Sequence, residues 1–219
     1  MDPLTLESLK AEAREFAIGM RQTPLPELYG ITDGKAVGTY VELRFHEHLR
    51  ARYRYTPGNA ATGVDIPELQ VDIKCTSARQ PQSSSPYRSA SQKVYGLGHS
   101  LLVFVYVKTD DHTTRAAGLD MQHVVYVSSH LTADFQTTFG LREILRRDGN
   151  RDDIVAFLEE RNLPLDDVGR EELSERILAD PPALGYLTIS NALQWRLQFG
   201  RAIQRAAAGD SDGLEDILA

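Results

Sequence analysis

Asp65, Asp72 and Lys74 lie in one short stretch, Gly63-Val64-Asp65-Ile66-Pro67-Glu68-Leu69-Gln70-Val71-Asp72-Ile73-Lys74, whose other residues are largely apolar. Side chains two apart on a β-strand share a face, so Asp72 and Lys74 point one way while Val71 and Ile73 pack on the other. A turn-length connection through Pro67 would bring the Asp65 carboxylate beside that of Asp72. Two convergent carboxylates repel, and each is pushed toward its neutral form unless a cation sits between them. A hard divalent ion, magnesium foremost, meets that need because it prefers oxygen ligands and keeps several waters. Lys74, on the same face, is then placed to orient or help deprotonate an attacking water and to balance charge on a phosphate. Chemistry of this kind is metal-assisted phosphodiester hydrolysis.

An Asp-x-Lys pair alone is common on solvated strand surfaces, where it is a same-face ion pair worth little. Here Gly63-Val64-Asp65 precedes it, apolar residues flank it, and no acidic residue follows from Ile73 to Thr109. Taken together these residues resemble the PD-(D/E)xK nuclease superfamily, and type II restriction endonucleases in particular, with Asp72-Ile73-Lys74 as the second motif. The first aspartate, Asp65, follows Val64 where the family has proline. Gly38-Thr39-Tyr40-Val41-Glu42 is similar to the Gly-x-x-x-Glu entry of such nucleases and makes Glu42 a candidate third acid, with Glu47 next in line. Gln92-Lys93-Val94-Tyr95 is similar to the glutamine and tyrosine that RecB-like members carry after the catalytic strand. The resemblance implies that Asp65 and Asp72 hold Mg2+ with help from Glu42, that Lys74 positions or activates the water, and that Gln92 supports the site.

The formal net charge of −7 argues against a nucleic-acid partner, but the charge is unevenly placed. The acid-free stretch carries Lys74, Arg79, Arg88, Lys93 and Lys108; a second, Pro181 to Gly209, carries Arg196, Arg201 and Arg205; the acids gather between Asp148 and Asp180. A positive face and a negative one are expected. Directly after the catalytic strand, Arg79, Gln80, Gln82, Ser83, Ser84, Ser85 and Arg88, with Lys93 beyond them, offer cations, donors and acceptors suited to phosphates and base edges. Double-stranded DNA is the expected partner. A homodimer follows from the need to cut both strands of a palindrome; a cognate DNA methyltransferase is not visible in one chain. A repair or recombination nuclease of the same superfamily is an alternative, as is a non-catalytic nucleic-acid-binding module.

Other chemistries find little support. The single cysteine, Cys75, excludes an internal disulfide and a Cys-only zinc site. It has no histidine near it in sequence and reads as a small core residue. His46 and His48, two apart on a helix, do not share a face, and read as surface or partly packed side chains. The longest apolar run, Leu101 to Val107, is too short to span a bilayer, and the amino terminus lacks a signal pattern, so the chain is expected in the cytoplasm.

Apolar positions at helical spacing predict helices from Leu4 to about Met20, stopped by Pro24 and Pro26, and from about Val37 to Tyr53. A strand ending near Asp65, a strand from Leu69 to Thr76, a polar loop from Ala78 to Tyr87 and a short helix from Ser89 to Tyr95 follow. Leu101 to Val107 reads as a strand buried on both faces, left at Asp110 and Asp111, and Val124 to Val127 as a further strand. Helices are expected at Leu141–Arg147, Asp152–Arg161, Arg170–Leu178 and Ser190–Ala207, the last carrying Trp195, before a loosely held tail. The expected fold is α/β, a mixed central sheet flanked by helices, with residues 1–130 as the nuclease core and 131–219 as a helical carboxy-terminal part packed on the same domain.

Overall fold

The computed structural model of the chain describes residues 1–58, 63–189, 196–209 and 212–219. In chain order the elements are β1 (Asp2–Pro3), α1 (Leu6–Gln22), α2 (Gly34–Arg50), β2 (Tyr53–Arg54), β3 (Val71–Ser77), β4 (Gln82–Ser84), α3 (Ala90–Tyr95), β5 (Ser100–Asp111) and β6 (Ala116–Val127). After these come α4 (Phe135–Arg146), α5 (Arg151–Glu160), α6 (Asp167–Ala179), β7 (Thr188–Ile189), β8 (Arg196–Gln198), α7 (Gly200–Ala207) and β9 (Leu214–Asp216).

The central sheet is mixed, in the order β3-β5-β6-β9. Strand β3 runs parallel to β5, with Val71 opposite Ser100 and Asp72 opposite Leu101, while β5–β6 and β6–β9 are antiparallel. A parallel pair needs a crossover, which α3 supplies between β3 and β5. Alternation along β5 explains its unbroken apolar run. Leu102, Phe104 and Tyr106 face a core shared with α1 and α2; Leu101, Val103 and Val105 face a second core with Leu187, Leu197, Phe199 and Ala202. Helices α3 to α6 enclose a third cluster around Leu141, Ile154, Leu158 and Ile177. Strand β3 divides likewise, Val71 and Ile73 entering the first core and leaving Asp72 and Lys74 on the opposite face.

Helix α1 begins at a Thr5 capping box with Ser8, and α2 at Asp33, whose carboxylate accepts from the Lys35 and Ala36 N–H groups. Helix α2 lies against β3. At Gly38 an added Cβ would stand 3.6 Å from the Cys75 carbonyl oxygen, an ordinary contact, so the helix backbone already lies close to the strand. No helix among the described residues is long and apolar enough to cross a membrane.

The expected mixed sheet, flanking helices and carboxy-terminal helices are present, and several local expectations are revised. Among the described residues no strand leads into Asp65; Ile66 bridges to Val71 around a 3-10 turn at Pro67–Leu69. The polar loop after β3 contains β4, which pairs with β8. The proposed helix from Ser190 is instead strand β8 at residues 196–198 followed by α7 from Gly200, and residues 190–195, Trp195 included, lie outside the described residues. Leu197 is buried between exposed Arg196 and Gln198, a two-residue alternation that suits a strand. Asp110 and Asp111 end strand β5 rather than follow it, and β6 starts at Ala116, well before Val124. The terminal residues are not loose: β9 closes the sheet on β6, and Asp216 accepts from the Val124 and Leu218 N–H groups and pairs with His123 at 2.7 Å.

Candidate active site

Strand β3 is the sheet edge, and an edge strand has outward N–H groups to satisfy. The preceding segment does this. Ile66 exchanges two backbone hydrogen bonds with Val71, and the reversal between them is closed by Gln70 in the left-handed conformation, φ 52°. That brings Asp65 alongside β3, where its Oδ2 accepts the Ile73 N–H at 2.7 Å. Asp65 thus takes the place of a neighbouring strand's carbonyl, and its carboxylate bonds to the Asp72 carboxyl.

Asp72 is buried, its side chain 5% exposed, and its Oδ2 lies 2.6 Å from Lys74 Nζ. The contact is close, yet no hydrogen bond of acceptable angle reaches Oδ2 among the described residues. Burial pushes the Asp72 carboxyl up to about 7, Lys74 opposing and Asp65 adding to the rise. His99 Nε2, also buried and without a hydrogen-bond partner, stands 3.9 Å from the same oxygen. Burial, and then the Lys74 charge, hold His99 below the ordinary histidine range.

Glu42 enters from α2. Glu42, His46 and Asp65 each present a ligand atom, all within 4.8 Å of one another. Burial raises Glu42, with Asp65 adding and Lys74 opposing. Burial lowers His46, against the pull of Asp65, and so favours the neutral imidazole that a metal requires. His46 Nδ1 shares a 2.7 Å hydrogen bond with the Tyr55 hydroxyl, the kind of outer contact that fixes a ligating ring. This donor set fits a divalent cation: the Glu42 and Asp65 carboxylates converge with too little positive charge beside them, and one neutral imidazole joins them.

The remaining expected site residues separate. Glu47 is exposed and pairs with Arg44 at 3.0 Å, away from the Glu42 group. Gln92 caps α3, its Oε1 accepting from the Arg88 N–H at 2.6 Å and the Ser89 N–H at 3.3 Å. Arg79, Gln80, Ser84 and Arg88 are exposed, while Gln82, Ser83 and Ser85 are half-buried around β4. Thr76 Oγ1 anchors this segment by accepting the Gln82 N–H at 2.9 Å. Lys93, expected at DNA, is instead only 2% exposed, its charge offset by Asp134. Cys75 is half-buried, and desolvation pushes its thiol up, so it stays neutral.

Two residues at the site escaped the sequence reading. His46 lies one helical turn after Glu42, an i, i+4 spacing that places both on one face; comparison with His48 hid it. His99 carries no local signal, since only the parallel register of β3 and β5 sets it near Asp72.

Comparison with known proteins gives a consistent result. Residues 3–216 match the family model described as type II restriction enzyme NspV. The chain is 53% identical over 214 residues to the Type II restriction enzyme NspV of Nostoc sp., an alignment covering 98% of this chain and 96% of the relative. No solved structure matches it significantly. With a family match over nearly its whole length and a relative this similar, the chain belongs to the type II restriction enzyme NspV family, and is a type II restriction endonuclease, a site-specific deoxyribonuclease.

Proposed function

We propose that this restriction endonuclease cuts both strands of a palindromic duplex site as a homodimer dependent on Mg2+, with Asp65, Asp72 and Glu42 holding the ion and His46 adding a nitrogen donor. The observation that carries this reading is the meeting of the Glu42, His46 and Asp65 ligand atoms within 4.8 Å, beside an Asp72–Lys74 pair at 2.6 Å. A bound divalent cation supplies charge neutralisation at the scissile phosphate and polarises the attacking water. The chain's own groups do the rest. Lys74, partly exposed at the end of its reach, turns its ammonium from Asp72 to a phosphate oxygen and orients the water for attack on phosphorus opposite the leaving oxygen. Asp65, pinned through the Ile73 N–H, keeps the carboxylates in register with β3. Gln92 supports the site indirectly, by capping the crossover helix. The exposed Arg79, Gln80, Ser84 and Arg88, with Gln82, Ser83 and Ser85 behind them, line the DNA side and divide phosphate contact from base reading. The enzyme works in the cytoplasm, beside a methyltransferase that protects the same site.

Plasmid digestion tests the proposal. Supercoiled plasmid with Mg2+ is expected to give discrete fragments, passing to linear form without accumulating nicked circles as a dimer would require. Asp72→Ala is expected to leave the plasmid intact. Wild-type protein inert on plasmids that present varied sequences, or an Asp72→Ala protein that cuts normally, would overturn it.

A further inference from the structure

Asp72 Oδ2 and His99 Nε2 are buried atoms without hydrogen-bond partners among the described residues, and they face each other at 3.9 Å. Their needs are complementary: an ionised carboxylate oxygen only accepts, and a protonated ring nitrogen donates. Leaving one such atom unsatisfied in an interior is costly, so native structures rarely keep two side by side without a use for them. The gap exceeds a hydrogen bond by only about 1 Å, a distance that a small ring movement closes or one shared water spans.

The surrounding chain is built to hold His99 there. The segment leaves α3 through Gly96 at φ +86°, where an added Cβ would lie 2.7 Å from the Ser129 carbonyl oxygen, and passes Gly98 at φ +85°. On one side of His99, buried Leu97 donates its N–H to Thr132 Oγ1 at 2.8 Å. On the other, Ser100 Oγ receives the Tyr126 hydroxyl at 3.0 Å and the Ser129 N–H at 3.1 Å. The chain on either side of His99 is therefore anchored, while Gly98, with open space around it, leaves room for a small adjustment of the ring.

Lys74 supplies the reason for a second donor. Its ammonium sits 2.6 Å from the oxygen that His99 faces. An ammonium has three N–H groups, but as Lys74 swings out toward a phosphate its close contact with Asp72 lengthens, and the buried Oδ2 loses its nearest cation. We propose that His99 is a positioning residue of the nuclease centre, its Nε2–H donating to Asp72 Oδ2 once Lys74 moves to the scissile phosphate and so holding the Asp72 carboxylate in its working orientation. This rests on the Asp72–Lys74 pair being the nuclease centre.

The test uses the full chain. In wild-type protein labelled with 15N-histidine, the His99 ring signals, assigned by their loss in His99→Gln, are expected to shift in Asp72→Asn and again when plasmid-derived duplex is added. In steady-state plasmid cleavage, His99→Ala is expected to lower kcat about 10- to 100-fold, as loss of an outer contact to a catalytic ligand does, with KM for DNA within about threefold. His99→Gln, which keeps a donor, is expected to recover most of that loss. Ring signals indifferent to Asp72→Asn, a His99→Ala kcat within twofold of wild type, or a Gln variant as poor as Ala would overturn the proposal. If His99→Ala fails to fold, the ring signals and the Gln variant still decide it. Cleavage by Asp72→Asn at the wild-type rate would instead sink the underlying reading, whereas an inert Asp72→Asn beside a fully active His99→Ala would sink this proposal alone.

Discussion

The Asp72 carboxyl is held where ionisation is disfavoured, and that has a measurable sign. Its ordinary value is 3.8 and its value in the fold is about 7, burial being the main cause. A group raised in this way gives its full stability below about pH 4, and the contribution is lost as pH rises through about 7. In metal-free protein this group therefore makes stability fall from pH 4 toward neutrality. Asp72→Asn removes that fall and is expected to raise stability at pH 7.5 in EDTA by about 1–3 kcal/mol, while abolishing cleavage, as active sites trade stability for function. Denaturant unfolding at several pH values measures this; an Asn variant no more stable than wild type would contradict it. The same residues show how far spacing alone can reach. Asp72 and Lys74 were readable because a strand's two-residue period is local, whereas His99 is placed by pairing across strands, which no spacing records.

The elements explain why Asp65 serves a site from outside any strand. The bridge from Ile66 to Val71 and the 3-10 turn between them hold it at the β3 edge, and α2 brings Glu42 and His46 from the facing side. Apolar periodicity marked α1, α5 and α6, caught only the second half of α4, which begins at Phe135, and carried α2 past its end at Arg50 into β2. It caught α7 as the end of the helix expected to Ala207 but missed β8 and β9, which exist only through partners distant in the chain. Strand β9 carries a stability prediction of its own. Asp216 is buried, its side chain 4% exposed, and it satisfies the Val124 and Leu218 N–H groups and His123. Asp216→Ala leaves a buried N–H unpaired and is expected to cost about 1–3 kcal/mol, read as a lower midpoint in denaturant. An unchanged midpoint would show that the terminal strand contributes little.

At the level of the whole molecule, two cores on either face of the sheet make β3 a rigid edge, and the site is built where that edge meets α2 and the β3–α3 segment. The acid-free run from Ile73 to Thr109 divides accordingly: Arg79 and Arg88 reach the surface, and Lys93 is spent inside, against Asp134. Charge counting along the sequence pointed to the right region but could not tell a solvated cation from a buried one. The centre itself turns on Lys74, which among the described residues pairs with Asp72 until DNA arrives. Single-turnover cleavage of a duplex that the wild type cuts, with equilibrium binding to the same duplex measured separately for wild type and Lys74→Ala, isolates that role. Lys74→Ala is expected to bind within about threefold of wild type and to cleave at least about 100-fold more slowly; a variant that cleaves at the wild-type rate would contradict the assignment of this centre.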